Sequence, residues 1–232
     1  MNYYETDPEF MERVDHFAFE EVVKEEGQQL PPKTRWLAIL AALIGCQGID
    51  LYKEMLPKAL EDGLEPEAIK ETVHQSVDYL GMGRMWPFLQ ATNEIFSDRG
   101  IALPASGKAV TTMEDRLEKG AQAQVDIFGD PMKDAWKQGH INRWLAANCF
   151  GDYYTRTGLD LAQREMITFC FLMAQGGCEP QLIGHAQGNM NMGNDKAFLL
   201  RVVSQCLPYI GYPRSLNAIS CINKAAESLE NA

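Results

Sequence analysis

Apolar side chains recur along this chain at the spacing of an α-helix. Three stretches place them three or four residues apart: Trp36/Ile39/Leu40/Leu43, Ile69/Val73/Val77/Leu80 and Leu199/Val202/Val203/Leu207. Strict alternation of apolar and polar residues, which is typical of a half-buried strand, is scarce. The pattern therefore predicts an all-α fold.

Turn-forming residues predict where several helices begin and end. Pro66 fits the first turn of a helix that Gly81 would end. In the second half, one helix is predicted over residues 161–174 and the next over residues 180–192, each followed by glycine. Cys178 is then expected at the entrance of the second of these helices.

One sequence pattern occurs twice. Residues 30–35 resemble residues 159–164 at an offset of 129, and each stretch precedes an apolar run. Further on the offset is 130, as in Gly63/Gly193, Gln75/Gln205, Tyr79/Tyr209, Arg84/Arg214 and Asn93/Asn223. A repeat of this length exceeds a solenoid unit, so we expect two tandem helical repeats packed as a pseudo-dimer. The predicted boundaries are 1–99 for the first repeat, 100–112 for a linker and 113–232 for the second repeat.

Composition narrows the function classes. The 232 residues carry a formal net charge of -11, which argues against a nucleic-acid partner. The N-terminal residues lack the basic segment and apolar segment of a secretory signal sequence. The longest apolar run, residues 36–45, is too short to span a bilayer. The six cysteines form no Cys-x-x-Cys pair, so neither a zinc site nor a disulfide framework is expected. A soluble, cytoplasmic protein is predicted.

The second repeat alone carries candidate chemistry. Gln181, His185 and Asn189 are spaced at i, i+4 and i+8, which places them in one polar stripe on the predicted helix. A histidine flanked by uncharged hydrogen-bonding groups suits general acid/base catalysis. An ordinary histidine at a helix interface explains the pattern equally well. Gly188 in the same helix would permit a close approach by another segment.

Two further residues are candidates for the same site. Cys178 precedes His185 by about two helical turns, and the positive end of the helix is expected to favour its thiolate. A single cysteine is more often an inert packing residue. Glu165 lies early in the preceding helix, where it is a candidate proton partner of His185. A solvated carboxylate, or one paired with Arg164, is the simpler interpretation.

The second repeat resembles the carboxymuconolactone decarboxylase family, which shares its fold with the alkylhydroperoxidase D-like proteins. Residues 151–160, Gly-Asp-Tyr-Tyr-Thr-Arg-Thr-Gly-Leu-Asp, match the family motif Gly-Asp-x-x-Thr-Arg-x-Gly-Leu-Asp. The similarity continues through Pro180, Gln181, Leu182, His185, Gly188, Asn191 and Gly193, and through residues 209–218. It covers residues 115–228 and, more weakly, residues 15–98.

The resemblance implies an all-helical fold whose subunits form rings, so a chain with two repeats is expected to form a homotrimer. The decarboxylase branch acts on a small lactone acid with no metal and no organic cofactor, and its site histidine matches His185. The peroxidase branch uses a Cys-x-x-Cys-x-x-x-His motif together with an upstream glutamate. Cys178 and His185 match that motif, whereas Gln181 stands in place of the second cysteine.

Because the second motif cysteine is absent, the leading hypothesis is cofactor-independent acid/base chemistry on a small lactone or unsaturated acid. His185 would move the proton, while Gln181, Asn189 and Arg156 would hold the substrate. Two alternatives stay open: a thiol peroxidase using Cys178, and a ring-forming binding protein without activity. Apolar faces such as that of residues 36–43 lead us to expect more apolar surface than one pseudo-dimer buries, and hence a homo-oligomer.

Overall fold

Helices supply the regular structure of the residues that the computed structural model describes, 2–104 and 108–231. Within those residues no strand occurs, which confirms the all-α prediction. Within the same residues, no helix is both long enough and apolar enough to cross a bilayer. Residues 105–107 of the predicted linker lie outside the described part of the chain.

The two repeats contain the same series of four long helices. The first repeat has α1 (Tyr3–Thr6), α2 (Pro8–Asp15), a π-helical turn (His16–Glu21), α3 (Val22–Lys24), α4 (Pro32–Gly45), α5 (Ile49–Glu61), α6 (Pro66–Leu80) and α7 (Met82–Asp98). The second has α8 (Arg116–Phe128), two 3-10 turns (Asp130–Met132 and Ala135–Gln138), α9 (His140–Trp144), a π-helical segment (Leu145–Tyr154), α10 (Leu161–Gln175), α11 (Glu179–Asn191), α12 (Lys196–Ile210) and α13 (Tyr212–Glu230). Helices α4–α7 correspond in order to α10–α13, and α8 is an addition of the second repeat.

The predicted helix ends lie close to the observed ones. Helix α6 begins at Pro66 and ends before Gly81, whose φ of 77° is a conformation that suits glycine. Helix α10 covers the predicted 161–174 and one residue more. Helix α11 begins one residue before Pro180, and Cys178 is its N-cap residue as expected.

Reciprocal hydrogen bonds join the two repeats as a pseudo-dimer. Arg35 of the first repeat donates from Nε to Oε1 of Gln205 in the second, at 2.8 Å. At the matching position, Arg164 of the second repeat donates from Nη1 to Oε1 of Gln75 in the first, at 2.7 Å. These are equivalent residues with exchanged repeats, as a pseudo-two-fold relation requires. One hydrophobic core accordingly runs through both repeats.

One argument for oligomerisation is wrong. The face made by Trp36, Ile39, Leu40 and Leu43 is at most 3% exposed, because α4 packs against α10 and α12 inside the same chain. This apolar surface is therefore buried within the pseudo-dimer, and none of it remains for contacts between chains.

Candidate active site

A histidine paired with a buried glutamate forms the centre of the site. Nδ1 of His185 on α11 lies 2.9 Å from Oε2 of Glu165 on α10. The glutamate side chain is fully buried, and the histidine side chain is 13% exposed. The contact expected between these two residues is thus present, whereas the simpler interpretation of Glu165 as a solvated or Arg164-paired carboxylate does not apply.

Local sequence features set the position of this pair. The side chain of Asp160 accepts a hydrogen bond from the backbone N–H of Gln163, and Oε1 of Gln163 accepts one from the backbone N–H of Asp160. This capping box fixes the start of α10, one and a half turns before Glu165. On α11, a Cβ atom at Gly188 would lie 2.5 Å from Oε2 of Glu165. Glycine is therefore what allows α11 to approach the carboxylate.

A tyrosine binds the other side of the carboxylate, and a threonine binds that tyrosine. Tyr154 donates from its hydroxyl to Oε1 of Glu165 at 2.8 Å, and the same hydroxyl lies 2.8 Å from Oγ1 of Thr168. Burial raises the pKa of the Tyr154 hydroxyl well above its usual value, so this group remains protonated and able to donate. Both oxygens of Glu165 thus have a partner, as buried carboxylates require.

Two aromatic rings flank the imidazole. Phe128, the last residue of α8, and Tyr79, from α6 of the first repeat, each pack edge-on against His185 at a centroid distance of 5.5 Å. Both rings belong to a small apolar cluster that includes Ile127 and Phe150. The site is therefore built from both repeats and from the added helix α8.

Asn189 has a different place from the one predicted. Its side chain is fully buried, and Nδ2 donates to the backbone oxygens of Glu165 and His185 at 2.9 and 2.8 Å. Its Oδ1 accepts from Asn194. This geometry does not support the prediction that Asn189 binds substrate. Both polar atoms of its amide already make hydrogen bonds, and those of Nδ2 hold α10 and α11 together.

Arg156 is also engaged elsewhere. Its Nε and Nη2 lie 2.7–3.0 Å from the carboxylate oxygens of Glu71 in the first repeat, and Arg164 reaches the same carboxylate at 3.1 Å. Although burial alone would raise the pKa of Glu71, hydrogen bonds from His74 and the two arginines lower it to about 2. Arg156 is thus part of an ion cluster between the repeats, and the structure does not support its predicted role on substrate.

The comparison with known families agrees with this architecture. The model of the carboxymuconolactone decarboxylase family matches residues 8–94 and again residues 140–224, which together exceed half of the chain. The chain belongs to the carboxymuconolactone decarboxylase family. Each match falls within one repeat, and α8 with Phe128 lies between the matched segments. No curated protein matches the chain closely enough to serve as a relative.

Cys178, which matches the first cysteine of the peroxidase-branch motif, lies in surroundings that do not favour the thiolate. Sγ of Cys178 donates to the backbone oxygen of Leu172 at 3.5 Å and accepts from Gln175 at 3.6 Å. Burial raises the pKa of the Cys178 thiol, contrary to the expectation that the helix start would favour the thiolate. Gln181, at the position of the second motif cysteine, is exposed, so that position holds neither a thiol nor a buried ligand for the histidine.

Sequence reasoning missed three of the residues around His185. Tyr154 occupies a variable position of the family motif, so only its place on the π-helical segment shows that it points inward. Phe128 is outside the matched segments, and Tyr79 lies in the repeat without the histidine. The one available signal for Tyr79 was its identity with Tyr209 across the repeat.

One cleft of the described residues reaches the edge of the site. Five clefts of the described residues have His185 in none of their linings. One of them, with a volume of about 510 Å³, is lined by Tyr154, Ala123 and Leu161 and so reaches the tyrosine that binds Glu165. In the part of the chain that the structure describes, no cluster of histidine, cysteine and carboxylate side chains has the arrangement of a metal site.

Proposed function

We propose that this protein performs acid/base chemistry, a decarboxylation or a double-bond isomerisation, on a small lactone or unsaturated carboxylic acid. The proposal rests on the pairing of His185 with the buried Glu165. A carboxylate that accepts from Nδ1–H holds the imidazole in one tautomer, with Nε2 free to exchange a proton with a substrate. No cofactor is part of this proposal.

The proton balance follows from this tautomer. In a decarboxylation, the carbon–carbon bond to the carboxylate breaks, carbon dioxide leaves, and the electron pair stays on the remaining carbon framework as an enolate. His185, which has first taken a proton from water onto Nε2, gives that proton to the carbon and returns to the neutral Nδ1–H tautomer. In an isomerisation, neutral His185 removes a proton from one carbon through Nε2 and returns it to another. Glu165 stabilises the imidazolium that exists during either reaction.

The two alternatives have less support. A thiol peroxidase needs Cys178 to react as a thiolate and a second thiol to resolve the sulfenic acid, yet burial raises the pKa of Cys178 and Gln181 stands at the second motif position. A binding protein without activity does not need a histidine oriented by a buried carboxylate.

Two variants separate the proposal from both alternatives. His185→Ala should lower turnover of carboxymuconolactone by roughly 10²- to 10⁴-fold, because a positioned acid or base contributes that much. Cys178→Ser is the matched control and should keep most of the activity. Loss of peroxide turnover in Cys178→Ser, with rapid oxidation of Cys178 in the wild type and reversal by dithiol, would favour the peroxidase instead. Binding of the lactone without turnover would favour the binding protein.

We also propose a homotrimer in the cytoplasm. Exposed apolar residues recur at equivalent positions at the starts of α7 and α13: Met82 and Trp86, and Tyr212 and Leu216, are 59–66% exposed. All six cysteines are free, which suits a reducing compartment. Sedimentation should give a mass near three chains, and the double variant Trp86→Ser/Leu216→Ser should lower it. A wild-type species near 26.0 kDa at micromolar concentration would contradict the trimer.

A further inference from the structure

We propose that Tyr79, from the repeat that lacks the histidine, is a positioning residue of the His185 site. It would act through Tyr154 and Glu165 to keep the imidazole in the tautomer that leaves Nε2 reactive. This inference rests on the proposed acid/base function, and it assigns to the first repeat a part in the chemistry of the second.

A continuous series of hydrogen bonds leads from Tyr79 to the imidazole. The hydroxyls of Tyr79 and Tyr154 are 2.8 Å apart, and Tyr154 is 2.8 Å from Oε1 of Glu165. Oε2 of the same carboxylate is 2.9 Å from Nδ1 of His185. Beyond Tyr79 the series continues to Cys149 on the π-helical segment, which donates from Sγ to the Tyr79 hydroxyl at 3.6 Å.

The donor and acceptor roles in this series are determined by counting protons. Tyr154 has one hydroxyl proton and gives it to Glu165, so its oxygen acts as the acceptor towards both Tyr79 and Thr168. Thr168 is available as a donor because its own oxygen accepts from Nε2 of Gln75. With its oxygen accepting from two donors, Tyr154 is confined to one hydroxyl orientation, towards the carboxylate.

The groups beyond Tyr79 are also consistent with donation from Cys149 to Tyr79 and from Tyr79 to Tyr154. Burial and the nearby charge of Asp152 raise the pKa of Asp78, a neighbour of Cys149, to about 8. At neutral pH Asp78 is therefore mostly protonated, so the hydrogen bond that Cys149 also makes with it is not strengthened by a full carboxylate charge. Burial likewise raises the pKa of the Cys149 thiol and the Tyr79 hydroxyl well above their usual values, so both keep the protons that they donate.

Tyr79 contributes in two separable ways. Its ring packs edge-on against the His185 ring at 5.5 Å and an interplanar angle of 81°. Its hydroxyl is the donor that orders Tyr154. Tyr79→Phe keeps the ring and removes only the hydroxyl, so this variant isolates the hydrogen-bonded series from the packing of the ring.

The second repeat offers a matched control. Tyr209 is the equivalent of Tyr79 at the offset of 130, and its hydroxyl is buried with no hydrogen-bond partner among the described residues. Tyr209→Phe therefore removes the same group from the same helix position without breaking a comparable series. A general effect of losing one buried tyrosine hydroxyl would appear in both variants, whereas an effect on the site would appear only in Tyr79→Phe.

The test reads the tautomer of His185 by ¹⁵N NMR at a pH where the ring is neutral, with the signal assigned by its loss in His185→Gln. The wild type and Tyr209→Phe should show the Nδ1–H tautomer, and Tyr79→Phe should show a larger share of Nε2–H. Turnover of carboxymuconolactone should fall roughly tenfold in Tyr79→Phe with KM nearly unchanged, the ratio that corresponds to one hydrogen bond. Equal tautomer populations in Tyr79→Phe and Tyr209→Phe would overturn the inference.

The NMR readout does not depend on activity. A wild-type protein without turnover would therefore end the proposed function while the tautomer still tests Tyr79. If Tyr79→Phe fails to fold, a pair of variants at Cys149 tests the same series, because serine keeps a donor there and alanine does not. Cys149→Ala should shift the tautomer of His185, whereas Cys149→Ser should keep the wild-type tautomer. Identical spectra from the two variants would contradict the inference.

Discussion

The two repeats share a scaffold and differ at the residues of the candidate site. Each repeat provides an arginine at the start of its first long helix and a glutamine that binds the arginine of the other repeat. The polar residues of the site, in contrast, correspond to apolar ones in the first repeat: Glu165 to Trp36, Thr168 to Ile39 and His185 to Met55. The first repeat thus keeps the packing contacts of the second without the polar residues of the candidate site.

The first repeat nevertheless retains residues that face the second. Gln75 and Tyr79 reach the residues around Glu165, and Glu71 binds Arg156 and Arg164. All three lie on one helix, α6. The interface between the repeats is therefore asymmetric in charge, and its ion-paired half, the one with Glu71, lies on the side of the candidate site.

Removing the carboxylate of Glu71 is expected to have the largest effect on stability. Glu71→Ala leaves Arg164, which has no exposed side-chain surface, without its counter-ion, and breaking a buried pair in this way costs about 3–5 kcal/mol. Arg201 is the equivalent position in α12, and its Nε is already buried without a partner among the described residues. Arg201→Ala should therefore change the free energy of unfolding by about 1 kcal/mol or less. Equal losses in the two variants, measured by urea unfolding, would contradict the asymmetry.

The same carboxylate predicts an acid-sensitive interface. The folded-state pKa of Glu71, about 2, lies below the usual value of 4.5, so its contribution to stability is present above that value and is lost as the pH falls towards 2. In that window the wild type should lose up to about 1.4 kcal/mol per pH unit that Glu71→Ala does not lose. Parallel curves for the two proteins would show that Glu71 is not held in its charged form.

Much of the fold is predictable from the chain, because the signals are local. The helical spacing of apolar residues predicts α4, α6 and α12, and the turn glycines together with Pro66 and Pro180 predict helix ends within about one residue. The duplication predicts that the repeats pair. The added helix α8 is not predicted by any of these signals, because it has no counterpart in the first repeat.

The candidate site is predicted only in part, because its contacts join distant segments. His185 and Glu165 are found from a helix pattern and a family motif. Whether Arg156 faces a substrate or an internal carboxylate depends on Glu71, which is 85 residues away in the other repeat. The pKa of Cys178 depends in the same way on burial, which the helix start does not reveal. Tertiary contacts therefore decide which polar residues are free to react.

Gly188 provides a smaller and more local test of the difference between the repeats. A methyl group at this position would lie 2.5 Å from Oε2 of Glu165 and 2.7 Å from Cε1 of Phe128, so one of them has to move. The equivalent position in the first repeat holds Lys58, whose side chain is exposed, because neither a carboxylate nor a helix like α8 covers it. Gly188→Ala should lower the free energy of unfolding by about 1–3 kcal/mol and reduce turnover.

Gly184, one turn earlier on α11, is the matched control for this substitution. A Cβ atom there meets nothing within 4 Å, so Gly184→Ala gains the higher helix propensity of alanine without a clash and should stabilise the protein by up to about 1 kcal/mol. Urea unfolding of both variants gives the sign of each change. If Gly188→Ala also stabilises the protein and leaves turnover intact, α11 does not need glycine to approach Glu165, and the close contact between His185 and Glu165 has to be held by Asn189 and the helix ends alone.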